Sequence, residues 1–196
     1  MMLAAFAQPV FDSQRSFREL LQAMARPAVP RALPVLPPAP APISPAAMAI
    51  LLTLCDATTS VWLQQPDDEA IRHLRFHTGT KLAEQAQHAD FALISDPLSI
   101  PPLDTFARGD LRYPDRSASL ILQVARLSAS PAPGEGGRFA GPGIRDTVPL
   151  AIAGLPTDFW QQRAALAAQL PLGIDLYFVA AQQVVGLPRT TRLLES

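Results

Sequence analysis

Two short stretches gather side chains that can do chemistry. Residues 74–79, LRFHTG, set a guanidinium, an aromatic ring, an imidazole and a hydroxyl side by side. Arg75 and His77 suit an anion or an acidic partner. They equally suit a helix C-terminus, where cations answer the negative end of the dipole and Gly79 turns the chain. Near the other end, Arg189, Thr190, Thr191 and Arg192 follow Pro188. Guanidinium forks and hydroxyls beside a rigid turn match the oxygens of a phosphate or carboxylate, and a solvated tail would look the same. Arg75, His77, Arg189, Thr190 and Thr191 are therefore the candidate ligand- or partner-binding residues. As a guanidinium on an exposed turn, Arg189 is expected to be replaceable by alanine with little harm to the fold.

Other chemistries lack their residues. His73, His77 and His88 are the only histidines, and none has a second His or Cys at a zinc spacing. No metal is expected. The glycines of residues 134–143, GEGGRFAGPG, lack the Walker spacing and its Lys-Ser/Thr ending, and they precede strands. No G-x-S-x-G elbow occurs. No residue is assigned a catalytic role. Cys55, the single cysteine, reads as a buried thiol in a reducing compartment.

Composition narrows the class further. The chain has 196 residues, and 48% hydrophobic against 17% charged is enough apolar material for one buried core, so a single domain over 1–196 is expected. A net charge of −1 gives no electrostatic case for nucleic acid. No apolar run reaches membrane-spanning length, and residues 1–10 lack the charged start of a signal peptide, so a cytoplasmic protein is expected. Fifteen of the 16 cations are arginines, and Lys81 is the only lysine.

The elements that must position these residues follow from periodicity. Phe17, Leu20, Leu21 and Met24 repeat as a helix face, with Asp12 or Ser13 as cap and Pro27 as stop. Prolines then crowd an arm over about 27–45, which reads as an extended wrapping loop. Ser44-Pro45 opens a second helix, and Asp67 to Glu69 begins a third whose last turn bears Arg72 and Arg75. Strands are expected at 61–63, 91–94, 119–127, near 138–140 and 148, at 174–180 and at 184–186; a last helix, capped by Thr157, carries Phe159, Trp160, Leu166 and Leu170. This alternation predicts an α/β domain with a mixed sheet covered by helices.

FRELLQAMARP at 17–27, LLTLCDATTSVWL at 51–63, LRFHTG at 74–79, YPDRSASLILQV at 113–124, GPGI at 141–144, PLGIDLYF at 171–178 and GLPRTT at 186–191 together resemble the H-subunit family of the bacterial carbon-phosphorus lyase core complex. The chain departs from that pattern in its proline-rich arm and at Ala28, where glycine is expected. The resemblance implies a three-layer mixed sheet with helices on both faces, a shortened pyridoxal-phosphate transferase fold without the cofactor. It implies G, I and J subunits as partners and a homodimer when isolated. It also implies an assisting subunit of alpha-D-ribose 1-methylphosphonate 5-triphosphate synthase, acting with G, I and L subunits to displace adenine from ATP by an alkylphosphonate. No cofactor is expected, because pyridoxal phosphate needs a Schiff-base lysine and Lys81 lies just after LRFHTG rather than between the late strands. The alternative is a standalone transferase for a phosphorylated small molecule, with Arg75, His77 and Arg189 converging in one pocket.

Overall fold

Proline and carboxylate placement start the first helix one turn earlier than the apolar pattern suggests. In the computed structural model, which describes residues 3–132 and 135–195, α1 runs Pro9–Ala25. Pro9 sits where no N–H partner is required, and Asp12, instead of capping, reaches back to accept the Gln8 N–H at 2.9 Å. That bond, with the Arg15 guanidinium at 2.6 Å, holds the Asp12 carboxyl below its usual range. The buried face is Asp12, Ser16, Leu20 and Ala23. Phe17 and Leu21, expected inside, are 47% and 54% exposed.

The proline arm is not wholly loop. Its residues Arg31–Ala32 form β1, and Leu33 and Ile43 are buried. α2 (Pro45–Leu54) opens on Ser44, whose hydroxyl accepts the Ala47 N–H, and β2 (Ser60–Leu63) follows. α3 (Asp68–Thr78) is capped by Asp67, which accepts the N–H groups of Glu69 and Ala70, and ends on Gly79 in the left-handed region at φ 72°. LRFHTG is thus the last turns and cap of α3.

Next come β3 (Lys81–Leu82), β4 (Phe91–Ile94) and β5 (Ser119–Gln123). The single long strand expected over 119–127 is two. After Gln123 the chain leaves its sheet and forms β6 (Arg126–Ser128), followed by β7 (Gly137–Ala140) and β8 (Val148–Ala153). Gln123 marks the break: its amide accepts the Ser44 N–H and donates to the Pro42 carbonyl, tying the strand end to the arm. Gly134 of the glycine stretch, and residues 1–2, lie outside the described residues. α4 (Phe159–Ala167), β9 (Asp175–Ala180), β10 (Gln183–Leu187) and β11 (Arg192–Glu195) complete the chain. The cap expected of Thr157 falls to Asp158.

The strands form two sheets. A mixed sheet has the order β1-β10-β9-β5-β4-β2-β3, parallel from β9 to β3 and antiparallel at β10 and β1. An antiparallel sheet, not foreseen as a separate unit, has the order β11-β7-β8-β6. Alternation along the strands sends Val61, Leu93, Ile121 and Val179 to one face of the mixed sheet, where α1, α2 and α3 cover them. Ala92, Leu120, Leu122 and Phe178 point to the other face, against Phe159 of α4 and Phe139 and Leu150 of the smaller sheet. The protein is therefore α/β, a mixed sheet with three helices on one face and, on the other, α4 and the smaller sheet in place of a full helical layer. No described helix is long and apolar enough to cross a membrane.

Candidate functional site: the turn between β10 and β11

Pro188 and the start of β11 force the chain through a tight turn, closed by the Thr191 N–H donating to the Pro188 carbonyl at 2.9 Å. Arg189 leaves this turn inward. Its Nε donates to Asp175 Oδ1 at 3.4 Å and its Nη2 to Asp175 Oδ2 at 2.6 Å, with Ser117 Oγ taking another Nη2 bond. Nη1 donates to the carbonyls of Pro114 at 2.7 Å and Pro171 at 3.3 Å. Every one of its five guanidinium hydrogens thus has a protein acceptor. The Arg189 side chain is 18% exposed, so the expectation of a dispensable surface guanidinium is corrected. It bolts the turn to the starts of β9 and β5.

A second arginine, which sequence reasoning missed, enters the same turn from α4. Arg163 is 6% exposed, and its Nη2 donates to the carbonyls of Leu187, Pro188 and Thr191 at 3.3, 2.7 and 3.3 Å. Its Nε and Nη1 have no acceptor among the described residues, and it makes no ion pair there. Burial lowers its pKa to about 10, opposed by the Asp175 charge, so it stays cationic at neutral pH. A signal was present in the sequence. Phe159 and Leu166 define the inward face of α4, and position 163 lies four residues after one and three before the other. An arginine on a core face needs acceptors, and here backbone carbonyls supply only part of them.

Arg163 lines a cleft of about 340 Å³ between α4 and β11 with Trp160, Ala164, Ala167, Ala168, Thr191, Arg192 and Leu193. Thr191 is 1% exposed, and its hydroxyl has no hydrogen-bond partner among the described residues. Thr190 is half-buried beside it. Trp160 packs edge-to-face on Phe139 and Phe159, which fixes the wall of the cleft.

Arg75 and His77 lie elsewhere. Both sit at the end of α3, which leads into β3 at the opposite edge of the mixed sheet. From β9, where Asp175 holds Arg189, to β3 is four strand spacings, about 19 Å. Arg75 is exposed. His77 Nε2 lies 3.2 Å from the Leu3 carbonyl, and its ring stands 4.5 Å from that of buried His73. Arg75, His77 and Arg189 do not share a pocket. Lys81 is exposed on β3, remote from the turn. Among the described residues, no group of three His, Cys, Asp or Glu side chains could hold a metal.

The sequence profile described as "Bacterial phosphonate metabolism protein (PhnH)" matches residues 4–194. The chain belongs to this family. It is 39% identical over 194 residues to the alpha-D-ribose 1-methylphosphonate 5-triphosphate synthase subunit PhnH of Rhizobium meliloti, covering 96% of this chain and 94% of that protein. It is 29% identical over 182 residues to HtxG of Stutzerimonas stutzeri, provisionally named a C-P lyase subunit protein, covering 92% and 85%. Three segments that carried the resemblance to this family meet at the turn. β11 pairs Arg192 with Ala140, which lays GPGI beside GLPRTT. Gly186 lies so close to α1 that a Cβ there would stand 2.7 Å from the Ala23 carbonyl, bringing AMARP against the same place.

Proposed function

We propose that the protein is an assisting subunit of an assembly that converts alkylphosphonates to ribose 1-phosphonate 5-triphosphates in phosphonate breakdown. With G, I and L subunits it supports attack of the phosphonate on ATP with release of adenine, before a J subunit cleaves the carbon-phosphorus bond. The observation that carries this reading is the end-to-end match to the PhnH subunit of the synthase, which spans nearly all of both chains. The reading places the protein in the cytoplasm, with G, I and J subunits as core partners and a second copy as partner when isolated.

Two features of the surface support a subunit. Val10, Phe17 and Leu21 fall within about 40° of one another around α1 at 100° per residue, forming an exposed apolar stripe that flanks the buried face of Ser16, Leu20 and Ala23. Such a stripe on a polar surface suits contact with another chain. The chemistry also favours a shared site, because the turn offers cations and a hydroxyl but no placed general base. The fold reads as a shortened pyridoxal-phosphate transferase domain. Its lone lysine, exposed on an edge strand, does not fit a Schiff-base role, and no step is assigned to that cofactor. A standalone transferase built on Arg75, His77 and Arg189 is disfavoured by their separation.

Co-expression of the tagged protein with the G, I and J subunits of the same organism tests the reading. Stoichiometric co-purification is expected, with loss of partners on Phe17→Asp or Leu21→Asp while the fold persists. Recovery of the wild-type chain free of all three would overturn it.

A further inference from the structure

The cleft between α4 and β11 holds a buried cation with no ion-pair partner among the described residues. Arg163, from α4, and Arg189 both hold the same turn, and Asp175, the carboxylate that acts on both, is already bidentate with Arg189. The cluster therefore carries one positive charge in excess. Arg163 spends its Nη2 hydrogens on turn carbonyls, leaving Nε–H and both Nη1–H groups without acceptors among the described residues. A second cavity beside Arg163 and Arg189, about 10 Å³, has room for one water and cannot neutralise a charge. The larger cleft has room for a small organic molecule. Its wall is graded: Arg163 in the depth, Ala164 and Ala167 of α4, the C-cap Ala168 and Trp160 along the side, and exposed Arg192 at the rim.

We propose that this cleft binds the oxyanion of a phosphate- or phosphonate-bearing small molecule, with Arg163 as the buried anchor, Arg192 as a second cation and the alanine–tryptophan wall seating the remainder. A guanidinium with open donors matches a tetrahedral oxyanion, and burial strengthens the attraction by excluding water. The choice of a phosphorus oxyanion over a carboxylate rests on the proposed place in phosphonate breakdown.

The test is titration of the purified full-length chain with methylphosphonate, inorganic phosphate, ATP or acetate in turn, read at the Trp160 indole N–H by NMR, with Trp160→Phe to assign the signal. Saturable movement of that signal by phosphorus anions is expected. Affinity should fall roughly 10- to 100-fold in Arg163→Gln, the loss expected for hydrogen bonds to a charged group. Because Arg163 also holds turn carbonyls, Ala168→Phe is the second variant: it fills the cleft from an exposed position and should abolish binding with the melting curve unchanged. Tighter binding of methylphosphonate than of ATP names the phosphonate as the source; the reverse names the nucleotide. A Trp160 signal unmoved by every phosphorus anion at millimolar concentration overturns the proposal. So does acetate binding as tightly, or binding that survives Ala168→Phe. Binding by a chain that fails to co-purify with the other subunits would sink the subunit reading alone, whereas a stable assembly with a silent Trp160 would sink the cleft alone.

Discussion

Arg163 and Arg189 divide two tasks that look alike in sequence. Arg189, singled out beside Thr190 and Thr191, spends all its donors on the protein, while Arg163, flanked by plain helix residues, keeps donors without acceptors among the described residues. The difference is invisible in one dimension because acceptors from Pro114, Ser117 and Pro171 reach Arg189 from distant segments. Arg189→Ala should therefore destabilise by about 2–4 kcal/mol, since it strands the Asp175 carboxylate in a largely buried place; the expected drop in Tm is on the order of 10 °C by calorimetry. An unchanged melting curve would contradict the bolt. His73 offers a second check. It is 1% exposed, with neither ring nitrogen hydrogen-bonded among the described residues, and its pKa lies below the ordinary 6.5 through burial and then the neighbouring His77 charge, opposed by Glu69. The unfolded chain then takes up the proton first, so the neutral ring's contribution is complete above about pH 6.5 and is lost as pH falls through the folded value. His73→Leu should flatten the decline in urea stability between about pH 7 and 5.5. An identical slope in the variant would remove His73 as its source.

Elements were legible where local rules act alone. Asp67 and Gly79 bracket α3 by side-chain capping and a left-handed cap, both readable in sequence. α1 was legible as a helix but its inward face was not, because Asp12 and Ser16 are buried while Phe17 and Leu21 face out. Hydrophobicity marks such a stripe without saying whether the chain's own core or another chain covers it. The split of residues 119–127 into two strands was hidden for another reason: β5 pairs with β9 while β6 pairs with β8, and at the break the Gln123 side chain binds an arm some 80 residues earlier, all long-range contacts. Backbone strain gives a prediction at this scale. Ala181, exposed between the paired strands β9 and β10, has φ 49°. Ala181→Gly should raise stability by about 0.5–1 kcal/mol, in contrast to the usual cost of glycine, measurable as a higher urea midpoint. Ala28, at φ 64°, occupies the left-handed conformation that makes glycine the expected residue there.

For the whole molecule, family membership was more legible than the site. The segments that identify the family are scattered along the chain, yet AMARP, GPGI and GLPRTT meet around one turn, where close backbone approach restricts what can replace them. Arg163 reaches that turn from α4, outside those segments, so the resemblance pointed at the place and not at this arginine. On the proposed reading this chain assists chemistry completed by its partners. Adenine release from ATP and methylphosphonate, followed by chromatography with purified G, I and L subunits in the presence and absence of this protein, tests that claim most directly. The account predicts release only when the chain is present with its partners, and none from the chain alone. Equal release without it, or release by the isolated chain, would contradict the account.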